Sequence, residues 1–265
     1  MKYSRFWFLF SLAVLLPIGV EGNKQAVAQL EEGNATMEEV IDNTDNWVGK
    51  TVTVTGKIDE MQDDSSFTLE GDNYFDSDRV LIINKSGAPL PELPEENTAL
   101  RITGKVDMVE GTEYFSDVAE NIGDEFEQKP AIYADSIVLA PNPAEIVETP
   151  ASFYEREVAV AGKVADVLDN NAFTLKEFSL NSDRNLLTLN TTSEPMPENG
   201  ADVLVKGTVR AYNQEELAQE YGYDEDLSVH VIDDSESDGD TAVLIVEEIS
   251  AADVDLSEVE VDVAP

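Results

Sequence analysis

A chain of 265 residues, 42% hydrophobic and 27% charged, is long enough for two small globular domains, each with a modest core. Its 56 acids against 16 bases give a formal net charge of −40, a field that repels nucleic-acid phosphates and anionic lipid heads and attracts cations or basic partners. The chain has no cysteine, which excludes disulfides, thiolate metal sites, cysteine nucleophiles and an anchor on a lipidated cysteine. Solubility in a saline medium is a second explanation of the charge and needs no partner.

The N-terminus carries Lys2 and Arg5, then an almost wholly apolar run from Phe6 to Val20, then Ala26-Val27-Ala28. A basic start, a short apolar run and a small-x-small site predict a secretory signal over 1–28, cleaved after Ala28. The run is short for the roughly 20 residues a bilayer span needs. The expected product is exported, periplasmic or extracellular, with no stable membrane span. Losing Lys2, Arg5 and Lys24 together with Glu21 leaves 13 bases against 55 acids, or −42.

After Gln29 the chain reads as one unit written twice. Thr36 to Glu39 forms a capping box that starts a short helix ending before Trp47, and Ala144 to Val147 starts its counterpart, ending before Phe153. Val52 to Leu69 (VTVTGKIDEMQDDSSFTL) returns at Val158 to Leu175 (VAVAGKVADVLDNNAFTL), at a constant offset of 106 positions. Val52, Val54 and Ile58 alternate with polar residues, the period-2 pattern of a half-buried strand. Gly56 and Gly162 fall on the apolar phase, where a tight bend or bulge is expected. Lys57 and Lys163 read as strand-edge charges. Turn residues Gln62 to Ser65 and Asp169 to Asn171 lead into the two FTL strands.

A third strand is predicted at Val80–Asn84 and Leu186–Asn190, followed by proline-rich connectors at Ala88–Glu95 and Glu194–Gly200. A fourth lies at Leu100–Asp107 and Val203–Ala211, now offset by 103, and a fifth at Ile132–Ile137 and Leu244–Ile249, offset by 112. Insertions over 108–129 and 212–240 separate the last two strands. The second should hold a short helix over Asn213–Tyr221 with Asn213 as N-cap. The acidic stretch Asp233–Asp240 reads as mobile, and the tail over 251–265 alternates acids with Val and Leu.

Five strands per unit, glycines in the first and fourth, and the V-x-V-x-G-K-[IV] pattern resemble the OB-fold, a five-stranded, partly open Greek-key barrel. Secreted bacterial OB-fold proteins and the anticodon-binding-like OB group are the nearest relatives. The chain departs from many OB domains in one respect: proline-rich connectors replace the helix between strands three and four. An SH3-like barrel is the alternative. The expected fold is all-β, two tandem five-stranded OB-like barrels with short helical insertions, after an N-terminal signal peptide. The expected domains are 29–140 and 141–250.

No catalytic set emerges. His230 is the only histidine and sits on the solvent phase of an alternating stretch, with no nucleophile elbow, P-loop or dinucleotide fingerprint elsewhere. The chain is therefore read as a non-enzyme without a required cofactor. Asp234, Glu236 and Asp238 precede Gly239 like the start of a calcium loop, but Ile245 stands where the bidentate acid belongs. Weak calcium binding is thus an alternative, with Asp72, Asp76 and Asp78 a lesser cluster.

The OB resemblance implies ligand binding through aromatic and basic groups over strands two and three and the flanking loops. Tyr74, Phe75, Arg79, Tyr114 and Phe115 stand at such positions in the first unit, and Phe178, Arg184, Tyr212, Tyr221 and Tyr223 in the second. The acids around them carry the wrong sign for phosphate, so nucleic acid is disfavoured as a partner. The expected function is non-catalytic binding of a protein or peptide in an open groove over strands two and three.

Overall fold

The structure, a computed structural model, describes residues 33–35, 37–70, 79–93, 98–109, 126, 129–168, 171–178, 184–222 and 241–252. The predicted signal segment lies outside them. Among the described residues no helix is long and apolar enough to cross a membrane. The fold is mostly β with a few short helices. A two-residue strand β1 (Gly33–Asn34) precedes helices α1 (Met37–Asp42) and α2 (Thr44–Trp47). Strands β2 (Thr51–Met61), β3 (Ser66–Glu70), β4 (Arg79–Asn84), β5 (Leu100–Met108) and β6 (Pro130–Leu139) follow. The order then repeats with α3 (Pro143–Glu148), β7 (Glu157–Val167), β8 (Ala172–Lys176), β9 (Asn185–Leu189), β10 (Asp202–Ala211), α4 (Gln214–Tyr221) and β11 (Ala242–Ala251).

Strand β2 pairs antiparallel with β3 and β5, β3 with β4, and β5 with β6, while β4 and β6 run parallel and close the circuit. The result is a closed five-stranded barrel. Alternation points Val52, Val54, Phe67, Leu69, Val80, Ile82, Leu100, Ile102 and Ile132 into one core. Strands β7 to β11 make the same five pairings: Val52 faces Gly104 as Val158 faces Gly207, and Leu81 faces Ala131 as Leu187 faces Val243. Even the bulges coincide, with Asp59 and Ala165 skipped on the first strand of each set, and Asp135 and Glu247 on the last. Lys163 is paired on both sides, with Asp202 and Lys176, and so is not an edge charge, whereas Lys57 lies one residue past the end of the β2–β5 ladder. Lys57 faces Glu70 across the ladder, and Lys163 pairs with Asp202.

The threonine of each FTL triplet now has a physical role. A bulge frees a backbone N–H from the ladder. The Glu60 N–H donates to Thr68 Oγ1 at 3.1 Å, and the Asp166 N–H to Thr174 Oγ1 at 3.2 Å. Phenylalanine and leucine fill the core on one side while threonine satisfies the bulge on the other. Thr174→Val keeps the shape and removes the acceptor, so it should lower stability by about 1–3 kcal/mol in urea unfolding. A change indistinguishable from zero would show that solvent satisfies the bulge instead.

Other repeated side chains are also scaffold. Asn84 ends β4 by accepting from the Ser86 N–H and hydroxyl and donating to the Ala88 carbonyl at 2.9 Å. Asn190 does the same with Thr192 and with Glu194, at 3.0 Å. The turns before β2 and β7 also match: Gly49 (φ 85°) donates to Val106 O and Glu155 (φ 59°) to Val209 O, each at 2.8 Å. A left-handed glutamate is strained where glycine is not. Its ion pair with Arg210, 3.9 Å long and largely exposed, offsets little of that. Glu155→Gly is therefore expected to raise stability by about 1 kcal/mol, read as a higher denaturation midpoint.

The helix starts correct one expectation. The capping box of α3 is Asn142–Glu145, with the Glu145 N–H donating to Asn142 Oδ1 at 2.9 Å and Pro143 opening the helix, two residues earlier than Ala144. Asn142 and Glu145 are the counterparts of Thr36 and Glu39 at the same offset of 106; Thr36 itself lies outside the described residues. Phe153 is fully buried, whereas its counterpart Trp47 is half-buried against the core. The fourth helix agrees with expectation, since Asn213 accepts from the Glu215 and Glu216 N–H groups and Gly222 ends it in the left-handed region.

Candidate functional site

The expected groove lies over the second and third strands; the structure shows apolar cover over the outer faces of the third and fifth strands of each set. Leu81 and Ile83 on β4 and Ala131 and Tyr133 on β6 form an apolar patch beneath Val109 and Phe126. In the second set Ala172, Leu187, Leu189, Val243 and Ile245 form the equivalent patch beneath Leu217, with Leu168, Tyr212 and Tyr221 packed around it. Strands β4, β9 and β11 are apolar on both faces, so each needs cover outside the core as well as within it. The insertion between the fourth and fifth strands supplies that cover at both places. This covered face shares the third strand with the expected groove, and in the second set also Ala172 of the second strand.

Helix α4 is the best-defined part of the roof. Leu217 is its one buried residue, and Arg210 on β10 ties it down from outside the apolar patch. The Arg210 guanidinium donates to Glu220 at 2.7 Å and to the Tyr221 hydroxyl at 3.4 Å, and lies 3.8 Å from Glu216. These hydrogen bonds raise the Arg210 pKa above its already high ordinary value, and the same bond from Arg210 lowers that of Glu220. Burial, then the hydrogen bond to Glu220, pushes the Tyr221 hydroxyl above its ordinary value of 10.0. Tyr212 lies against the same patch, its hydroxyl donating to Gln214 Oε1 at 2.6 Å. The aromatic bodies of both tyrosines are thus engaged with the outer face of β9 and β11, and their polar ends sit at its rim.

The remaining predicted residues divide clearly. Arg79 is ion-paired to Asp59 at 3.1 Å, and Arg184 is ion-paired to Glu148 on α3. Phe178, half-buried, follows β8. Tyr74, Phe75, Tyr114, Phe115, Tyr223 and His230 lie outside the described residues, as do Asp234, Glu236 and Asp238 and the lesser cluster Asp72, Asp76 and Asp78. Among the described residues no group of three or more His, Asp or Glu side chains is placed to hold a metal ion. The structure therefore brings Tyr212 and Tyr221 together and sets Arg79 and Arg184 against acids.

Sequence reasoning passed over Arg210 and Leu217, which fix the roof. A signal for Leu217 was available: it is the one large aliphatic residue between Asn213 and Gly222, a helix otherwise polar at its centre. Arg210 gave none, because acids within reach of a lone arginine occur throughout this chain. Two exposed apolar residues also occupy one repeated position, Met61 and Val167 at the ends of β2 and β7. Comparison with protein-family models and with curated proteins finds no match to this chain.

Proposed function

We propose that this chain is an exported, non-catalytic binding protein of two tandem OB-like barrels, over 29–140 and 141–250, whose ligand is a protein or peptide. A signal peptide over 1–28 precedes them and an acidic tail over 251–265 follows. One observation carries the reading. The repeated residues serve strand pairing, bulges, turns and core, and the units differ most in the insertions placed over the equivalent outer face. The shared pairings and bulges support two barrels, and the strand order supports the OB resemblance. Binding at the rim of that face, beside Tyr212 and Tyr221, is what an insertion with aromatic bodies and polar ends suits. The pairing of Arg79 with Asp59 and of Arg184 with Glu148 speaks against phosphate recognition.

Selection of a random peptide library on immobilised residues 29–265 tests the reading. Enrichment of peptides that bind without added calcium is the expected result. Retention of a single-stranded oligonucleotide on a low-salt column, with no peptide enriched, would overturn it in favour of nucleic acid. Peptide binding abolished by a chelator would place calcium in the mechanism.

A further inference from the structure

We propose that Trp47, Val48 and Lys50, at the turn between α2 and β2, form a docking surface for an extended, proline-rich segment of a partner protein that carries basic residues. The inference rests on the peptide-binding reading above and names both a ligand class and a separate place for it. The equivalent turn before β7 supplies the comparison. Phe153, Tyr154, Glu155 and Arg156 correspond to Trp47, Val48, Gly49 and Lys50 at the offset of 106. The backbone is the same: Lys50 N–H donates to Trp47 O at 2.9 Å, and Arg156 N–H to Phe153 O at 3.1 Å.

An arginine of the second of these turns already holds a proline-rich segment by its backbone. The Arg156 guanidinium donates to the backbone carbonyl of Glu92, within Ala88-Pro89-Leu90-Pro91-Glu92-Leu93-Pro94 of the first connector. Leu90, Leu93 and Tyr154 all pack against the same continuous core. The chemistry follows from proline itself, which holds φ near −65° and has no N–H, so such a segment offers carbonyl oxygens and apolar rings. A cation that donates to a carbonyl, with an apolar side chain nearby for the rings, suits that offer.

The first turn carries the same equipment with its apolar part on the surface. Val48 is 38% exposed, one of three large apolar residues so exposed among those described. Trp47 is half-buried, and the Lys50 ammonium lies 5.7 Å from its ring centroid. Tryptophan, valine and lysine here stand where phenylalanine, tyrosine and arginine stand in the turn whose arginine holds the connector. The net charge of −40 adds selection for lysine or arginine flanking the prolines and speeds their encounter at low salt.

The test uses the chain from Gln29, in which Trp47 is the only tryptophan and reports on the site directly. Two synthetic peptides serve as probes, the connector sequence APLPELP and a version with two lysines at each end. Saturable change in Trp47 fluorescence with both is expected, tighter for the lysine-flanked peptide and weakened by added salt. Val48→Asp should weaken that binding about tenfold or more, with an unchanged circular dichroism spectrum confirming the fold. No fluorescence change at millimolar peptide, or binding unaltered in Val48→Asp and Lys50→Met alike, would overturn the proposal. Peptides from the library selection that bind without disturbing Trp47 would overturn this site while leaving the broader peptide-binding reading standing.

Discussion

Gly207→Ala is expected to destabilise the protein by about 3 kcal/mol, since the neighbour it meets cannot move aside. A Cβ at Gly207 would press on the carbonyl oxygen of Ile245, with the carbonyl carbon at 2.9 Å and Leu244 Cδ1 at 3.2 Å. Those backbone atoms belong to β11 beside the bulge at Glu247, so yielding means breaking the β10–β11 ladder. Gly104 stands at the matching bulge, where a Cβ would press on the Tyr133 carbonyl oxygen and lie 2.7 Å from Ala134 Cα. Gly104→Ala should therefore cost a similar amount. Urea unfolding of both variants checks this; a loss under about 1 kcal/mol in either would mean that the strands can part there cheaply.

Phe173→Ala should cost about 3–5 kcal/mol, the usual range for emptying a fully buried phenylalanine site. The more informative result is where the loss is felt. The core is continuous from Phe67, Leu69 and Ile102 through Leu139, Ile146 and Phe153 to Phe173, Val205 and Leu244. Strand β6 hands over to β7 by a parallel pair at Leu139 and Val158, and Arg156 reaches back to Glu92. A cavity in the second set of strands should therefore lower the unfolding midpoint that Trp47 reports in the first. Trp47 fluorescence and far-ultraviolet circular dichroism should move together. An unmoved Trp47 transition would show two independent cores.

The strands, their order and the α4 cap were legible because each rests on a local rule. Period-2 alternation marks β2 and β7, glycine on the apolar phase marks the tight approaches, and Asn213 before Gln214 marks a helix start. What stayed hidden depends on pairing across the fold. The roles of Thr68 and Thr174 exist only once a bulge lies opposite them. Asn142 is the α3 cap because its helix begins at a proline, and the 106 offset already pointed there through Thr36. The covered face of the third and fifth strands had a partial signal in Val80–Ile83 and Ala242–Val246, which are apolar at every position. An uninterrupted run of that length means a strand buried on both faces, which an alternating reading overlooks. The ion pairs of Arg79, Arg184 and Arg210 could not be read, because so many acids compete for so few cations.

One scaffold built twice underlies both the fold and the proposed binding role, and interstrand nuclear Overhauser contacts in the chain from Gln29 test it directly. Contacts joining Leu187–Leu189 to Val243–Ile245 should appear with the same parallel pattern as those joining Leu81–Asn84 to Ala131–Ala134. Contacts present in the first set and missing in the second would leave one barrel and an open sheet, and would contradict it.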